Sequence, residues 1–169
     1  IHNDERGYFV ETYKQKLLDE ALGYRVNFIQ DNESKSTSKG VLRGLHFQSP
    51  PFTQNKLVRV IQGEVLDIAV DIRRNSPTFG KHISVELSQK NKKQLFVPIG
   101  FAHGFIVQSE EAIFAYKVDA YYSAEHEVGI AYNDKDINID WHFLDKEIIL
   151  SKADQNYPNL ADIKNYFDF

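Results

Sequence analysis

From Arg25 to about Ala131 the chain is a succession of short β-branched and aromatic runs cut by turn residues. The pattern predicts strands over Val26–Gln30, Val41–Phe47, Lys56–Ile61, Glu64–Ile72, His82–Leu87, Gln94–Val97, Ala102–Val107 and Ile113–Val118. Gln62-Gly63 reads as a hairpin turn, and Ser76-Pro77, Lys90–Lys93 and Ser109–Glu111 mark further turns. Many short strands at close spacing predict a β-sandwich or barrel. One helix precedes them. Lys14–Leu22 is rich in helix formers, sets Leu17, Leu18, Ala21 and Leu22 on one side, and stops at Gly23. After Trp141 the chain turns polar and irregular, and no internal repeat or linker interrupts it.

The run Val65–Asp71 divides cleanly by strand parity. Leu66, Ile68, Val70 and Ile72 form one face, which must be core; Val65, Asp67, Ala69 and Asp71 form the other. Two carboxylates around a small residue fit either a wet cavity or an exposed edge face.

Composition narrows the class. A chain of 169 residues with 42% hydrophobic and 26% charged residues suits one domain, 1–169, and excludes a disordered chain. A net charge of -4 gives no footprint for nucleic acid. The absence of Cys excludes disulfides and thiolate metal sites. No apolar run approaches the roughly 20 residues of a membrane span, and no signal peptide is visible. The chain begins at Ile1 and contains no Met, so a trimmed N-terminus is expected.

Two stretches carry more than packing requires. Gly40–Gln48 places two glycines, Arg43 and His46 inside an apolar strand. A strand glycine marks a bulge or a close approach. Arg43 and His46 have opposite parity, so they share a cavity only if Gly44 shifts the register. In Phe96–Phe105, Pro98 and Gly100 make a turn that delivers His103 onto a new strand. The spacing of Gly40, His46, Gln48, Lys56 and Gly63, and that of Pro98, Gly100 and His103, resembles the two motifs of the cupin barrels. Metal-binding cupins supply His, His, an acid and His; here the positions read His46, Gln48, Lys56 and His103. An ammonium repels a divalent ion, so the pocket is expected to bind no metal and to need no cofactor. A pocket with His, Lys and carboxylates suits proton abstraction beside a carbonyl.

Longer blocks extend the match. They include Asp4-Glu5-Arg6-Gly7-Tyr8-Phe9 with Glu11, Gln30-Asp31-Asn32 with Ser34, Leu42–Gln48, Lys56–Arg59, Asp67–Arg73, Ser76–Gly80, Pro98–Phe105, Tyr116-Lys117 and Tyr121-Tyr122-Ser123. In these the chain resembles the dTDP-4-dehydrorhamnose 3,5-epimerase family over nearly its whole length. The resemblance implies an all-β fold: a cupin-type jelly-roll β-barrel with a few short helices near the N-terminus and in the C-terminal tail. It implies a cytoplasmic homodimer, without nucleic-acid or membrane partners, and lacking most of the family's first strand. The implied substrate is a dTDP-linked 4-keto-6-deoxy sugar, dTDP-4-dehydro-6-deoxy-D-glucose, inverted at C3 and C5 on the way to dTDP-L-rhamnose.

The resemblance also assigns residues. His46 matches the base, Asp154 the carboxylate that orients it, Lys56 the group that stabilises the enolate oxygen, and Tyr116 the acid on the opposite face. Arg6, Phe9, Glu11, Gln30, Asn32, Arg43 and His103 match residues that hold the nucleotide, diphosphate or sugar, and Tyr121 is placed with them. Read from the residues themselves, apart from the resemblance, Asp67 and Asp71 only brace other polar groups, and Trp141 closes the core. Three alternatives stand beside the epimerase reading. A paralogue could invert C3 alone or act on another nucleotide-linked 4-keto sugar. A non-catalytic sugar-nucleotide-binding cupin would be expected to lose the His, Lys or Tyr. A metal-dependent cupin oxygenase is opposed by Lys56.

Overall fold

The structure, a computed structural model, describes residues 1–169, the side chain of Asp145 excepted. A small hairpin of β1 (His2–Asp4) and β2 (Gly7–Phe9) leads into α1 (Gln15–Leu22), which Gly23 ends. Nine strands follow: β3 (Gln30–Ser36), β4 (Leu42–Gln48), β5 (Lys56–Gln62), β6 (Glu64–Asp71), β7 (His82–Ser88), β8 (Gln94–Val97), β9 (Phe101–Val107), β10 (Ala112–Val118) and β11 (Glu127–Gly129). They build two antiparallel sheets, ordered β3-β10-β5-β8 and β11-β4-β9-β6-β7. This is the jelly-roll class that the strand pattern and the resemblance predict, with two separate sheets in place of one closed hydrogen-bonded barrel. Among the described residues no helix is long and apolar enough to cross a membrane.

The inner strands β6 and β9 of the five-stranded sheet are buried on both sides. Val58, Val60, Val65, Leu87, Phe105, Val107, Ala112 and Phe114 come from both sheets and fill the space between them. Leu66, Ile68, Val70 and Ile72 point the other way, into a second core with Leu42, Leu45, Phe47 and Ile106. The C-terminal tail closes that core through Ile137, Trp141 and Leu160, with Ile163, Tyr166 and Phe167 packed against it. The tail is irregular, as expected, yet it is a lid of apolar side chains strung on polar backbone turns.

Several expectations change. The strand expected at Val26–Gln30 runs instead over Gln30–Ser36. Val26 is buried beside α1, where its carbonyl accepts a hydrogen bond from Gln15. The polar run QDNESKS forms an edge strand because one of its faces looks toward a polar cleft and the other outward. Gln62-Gly63 is a corner between sheets, not a hairpin turn: β5 pairs with β10 and β8, while β6 pairs with β7 and β9. Gly63 takes the corner at φ 81°, where a Cβ would overlap the Glu111 carbonyl. The face of β6 that carries Asp67 and Asp71 is not an exposed edge: the two are 0% and 1% accessible.

Asp71 braces the turn after β6. It accepts hydrogen bonds from Arg73 Nε (2.9 Å) and Nη2 (2.8 Å), Ser76 Oγ (2.6 Å) and Thr78 Oγ1 (2.7 Å). The Arg73 guanidinium is held between the rings of Phe101 and Phe169, which ties the chain end to this turn. Burial favours the neutral acid, but the bonds from Arg73, Ser76 and Thr78 outweigh it and hold the carboxyl far below the usual carboxylate range. A group with a depressed native pKa stabilises the fold above its unfolded value and loses that contribution as pH falls through the native one. Asp71→Asn is therefore expected to cost about 1–3 kcal/mol at neutral pH. The gap to the parent should narrow once pH drops below about 4, and urea titrations across that range would measure it.

Candidate active site

A register shift in β4 creates the site. Arg43 pairs with Phe105 of β9, but His46 pairs with His103, one residue out of step, so Gly44 and Leu45 form a bulge. The shift puts Arg43 and His46 on the same side while Leu42, Leu45 and Phe47 all reach the back core. Gly44 sits at φ 123°, and a Cβ there would lie 2.6 Å from Gly104 Cα and 2.8 Å from the His103 carbonyl. Only glycine satisfies both conditions.

The resulting cleft of about 300 Å³ opens between the sheets. Of the residues the sequence nominates, it gathers Arg43, His46, Lys56, His103, Tyr116 and Asp154. His46 and His103 are cross-strand neighbours on the five-stranded sheet; Tyr116 and Lys56 stand on adjacent strands of the facing sheet. Asp154 arrives from the tail, on the 3₁₀ turn Asp154–Asn156.

His46 Nε2 lies 2.7 Å from Asp154 Oδ1. An ionised carboxylate only accepts, so Nε2 carries the hydrogen and the neutral ring keeps its lone pair on Nδ1. Asp154 is itself held: Ser151 Oγ donates to Oδ2 at 2.6 Å, and the Gly44 amide of the bulge donates to Oδ1 at 3.4 Å. Burial opposes its charge, but the bonds from His46, Ser151 and Gly44 win and lower its pKa. A second pair lies one strand away, where His103 Nε2 faces both oxygens of Asp67 at 2.9 and 3.0 Å. Asp67 is fully buried, and burial raises its pKa against the pull of His103 and Lys56. Burial also pushes the Lys56 amine down to about 8, against the attraction of Asp67 and Glu127. The Tyr116 hydroxyl is raised by burial and by Glu127, with Arg43 opposing.

The remaining nominated residues stand elsewhere. Gln30 and Asn32 lie on β3 at alternate positions in line with Ser34, which does line the cleft; Gln30 Nε2 donates to Asn32 Oδ1 at 2.8 Å. Tyr121 is 65% exposed in the loop after β10, outside the lining. Arg6 pairs with Asp4 on the hairpin, Phe9 is 70% exposed, and Glu11 pairs with Lys14. A single chain therefore does not bring Arg6, Phe9 and Glu11 to its own cleft. Gln48, at the second cupin ligand position, accepts from the Ser123 amide at 3.0 Å and so anchors a loop. Among the described residues no group of three or more His, Asp or Glu side chains gathers as a metal ion would require. The cleft also contains Glu127, Ser151 and Tyr157, which the sequence reading did not single out. Their one signal was proximity to Asp154 for the last two; Glu127 sits on a strand too short to show periodicity.

Comparison with known proteins agrees with this arrangement. The family described as dTDP-4-dehydrorhamnose 3,5-epimerase matches residues 1–162. A relative of that name from Shigella flexneri is 53% identical over 167 residues, spanning 99% of this chain and 90% of its own. The crystal structure of dTDP-4-dehydrorhamnose 3,5-epimerase from Elizabethkingia anophelis NUHP1 superposes with a TM-score of 0.91 at 52% identity, over 98% of this chain and 89% of that one. The dTDP-6-deoxy-D-glucose-3,5-epimerase of Legionella pneumophila Philadelphia 1, solved in complex with dTDP-4-keto-L-rhamnose, superposes with a TM-score of 0.95 at 47% identity, over 99% and 89%. A jelly roll whose cleft joins a carboxylate-held histidine, a lysine and a tyrosine, matched at this identity along its length, belongs to the dTDP-4-dehydrorhamnose 3,5-epimerase family.

Proposed function

We propose that this chain, working as one unit over 1–169, inverts C3 and C5 of dTDP-4-dehydro-6-deoxy-D-glucose to give dTDP-4-dehydro-L-rhamnose. The observation that carries the reading is the placement of His46 and Tyr116 on facing sheets across one cleft, with Asp154 fixing the histidine tautomer. Both carbons flank the C4 ketone, so each C–H is acidic enough for a positioned base. His46 Nδ1 takes the proton, and the C–H electron pair passes into an enolate. Lys56 donates a hydrogen bond to the developing oxyanion. Tyr116, whose raised pKa keeps the hydroxyl protonated at neutral pH, returns a proton from the opposite wall. The imidazolium and phenolate then exchange protons with solvent. Arg43 offers a guanidinium to the diphosphate, and Asp67 braces His103 beside the sugar. None of these steps calls for a cofactor.

The facing arrangement makes the two variants fail differently. Turnover in deuterium oxide, with the product assigned by NMR, reads out both the number of inverted centres and the label at each. His46→Asn should lose inversion and C–H exchange together, because no enolate forms. Tyr116→Phe should still incorporate deuterium at C3 or C5 with configuration largely retained, since His46 reprotonates the face it opened. Inversion of both centres by Tyr116→Phe near the parental rate would remove Tyr116 from the role, and inversion of C3 alone by the parent would assign the narrower activity.

Lys56 should set an alkaline limit. Its ammonium is present below about 8 and lost above it. The kcat/KM of the parent should therefore fall as pH rises through that value. Asp67→Asn removes an attraction for the ammonium and should move the limit down. Lys56→Ala should lose roughly 10²–10³ in kcat, with product binding by calorimetry little changed because the enolate charge exists only on the reaction path.

We further propose that the working form is a homodimer in which the β1–β2 hairpin of each chain completes the partner's cleft. Ile1, Tyr8 and Phe9 are exposed on that hairpin, and Arg6 reaches nothing of its own cleft. Mixing Arg6→Ala chains with His46→Asn chains should then restore activity that neither has alone. The yield should be about a quarter of the parental value, since half of the pairs are unlike and one site in each is intact. No recovery after subunit exchange, or a fully active monomer in sedimentation, would sink this arrangement.

A further inference from the structure

One hydrogen bond to Asp154 leaves an imidazole free to swing about that bond, and a base must present its lone pair within a narrow angle. A second contact restrains His46. Across the sheet, His46 is flanked by His103 of β9 on one side and by Gly129 of β11 on the other. The backbone of Gly129 does not demand glycine, since its φ lies outside the left-handed region. Space demands it. A Cβ at this position would overlap Cδ1, Cε1 and Cδ2 of the Tyr157 ring. The missing side chain leaves a slot beside His46, and Tyr157 fills it, meeting the imidazole edge-on with centroids 5.5 Å apart and planes at 81°.

The same short segment delivers both restraints. Tyr157 follows directly on the turn that carries Asp154. The segment is pinned on both sides, by the Asn156 amide to the Ala153 carbonyl (3.0 Å) and by the Ala131 amide to the Pro158 carbonyl (2.8 Å). Among the described residues the Tyr157 hydroxyl makes no hydrogen bond, so the ring is seated by packing alone. Its hydroxyl is pushed up to about 12, first by burial and then by Glu127 and Asp154, and it stays neutral beside the base.

We propose that Tyr157 is a positioning residue for His46: its ring, seated in the slot that Gly129 leaves, fixes the imidazole plane so that Nδ1 meets the C–H of the bound sugar. The inference rests on the reading of His46 as the base. It assigns the ring, not the hydroxyl, and it makes Gly129 part of the same device.

The test uses the full chain, steady-state turnover of dTDP-4-dehydro-6-deoxy-D-glucose, and dTDP binding by calorimetry. Tyr157→Ala should lower kcat roughly 10–100-fold, the range for a misaligned catalytic group, while KM and dTDP affinity stay within about threefold of the parent. Tyr157→Phe should restore kcat to near the parental value. Gly129→Ala evicts the ring and should match Tyr157→Ala, and the double variant should be no slower than either, because both remove one contact. The proposal is overturned by parental kcat in Tyr157→Ala, by Tyr157→Phe falling as far as Tyr157→Ala, or by additive losses in the double variant. Should Gly129→Ala fail to fold, the series Phe, Leu, Ala at position 157 decides alone. A descending kcat supports the wall, and a flat series overturns it. His46→Asn run in parallel separates the levels. Full activity in that variant removes the underlying reading; an inactive His46→Asn beside a fully active Tyr157→Ala removes only the inference.

Discussion

The extra residue in β4 is the constraint on which the site depends. Without the bulge at Gly44 and Leu45, strand parity would send either Arg43 or His46 into the back core and one of Leu42 or Phe47 into the cleft. The bulge also frees the Gly44 amide from the ladder and turns it toward Asp154. One local irregularity thus aims His46 into the cleft, spares the core, and supplies a donor to the carboxylate that holds the histidine. It is possible because glycines face each other here: a Cβ on Gly104 would lie 2.9 Å from the Arg43 carbonyl and 3.2 Å from Gly44 Cα.

Around this point the cleft keeps its charges in pairs. His46 and His103 stand on neighbouring strands, and each engages its own carboxylate, Asp154 or Asp67, through Nε2. The two carboxylates differ in environment. Asp154 draws three donors and is held ionised; Asp67 is buried more deeply and is pushed the other way. Lys56 faces this interior from the opposite sheet, which explains why its amine is driven down despite nearby carboxylates. Groups of one chemical type are thereby tuned apart by their surroundings, which proton transfer at neutral pH requires.

Much of this was legible in the chain because the relevant patterns are local. The alternation of Leu66, Ile68 and Val70 assigned the core face of β6 correctly, and the parity conflict between Arg43 and His46 called for the register shift that Gly44 makes. What escaped depends on distant partners. QDNESKS carries no apolar face, since it is a strand only by pairing with β10 beside a polar cleft. Gln62-Gly63 has hairpin chemistry, but whether the next strand folds back or crosses to another sheet is a tertiary matter. Tyr157 has an ordinary local context, and its role appears only when Gly129, from another strand, is found to leave room for it. Arg6, Phe9 and Glu11 were nominated by resemblance alone, and nothing in their local pattern places them at the cleft.

The tail that covers the back of the five-stranded sheet also bears on how the molecule comes into being. Asp154 follows His46 by 108 positions, and the strands that carry His46, Lys56, His103 and Tyr116 are all made before it. A growing chain can therefore assemble the walls of the cleft before the histidine has a carboxylate partner. His46 meets its carboxylate only when the segment around Asp154 has been synthesised and has docked across the far face of the sheet. Proteolytic loss of that segment would take the carboxylate from His46 and strip the apolar cover from the sheet in a single cut, so damage at this end of the chain unseats the histidine as it exposes the core.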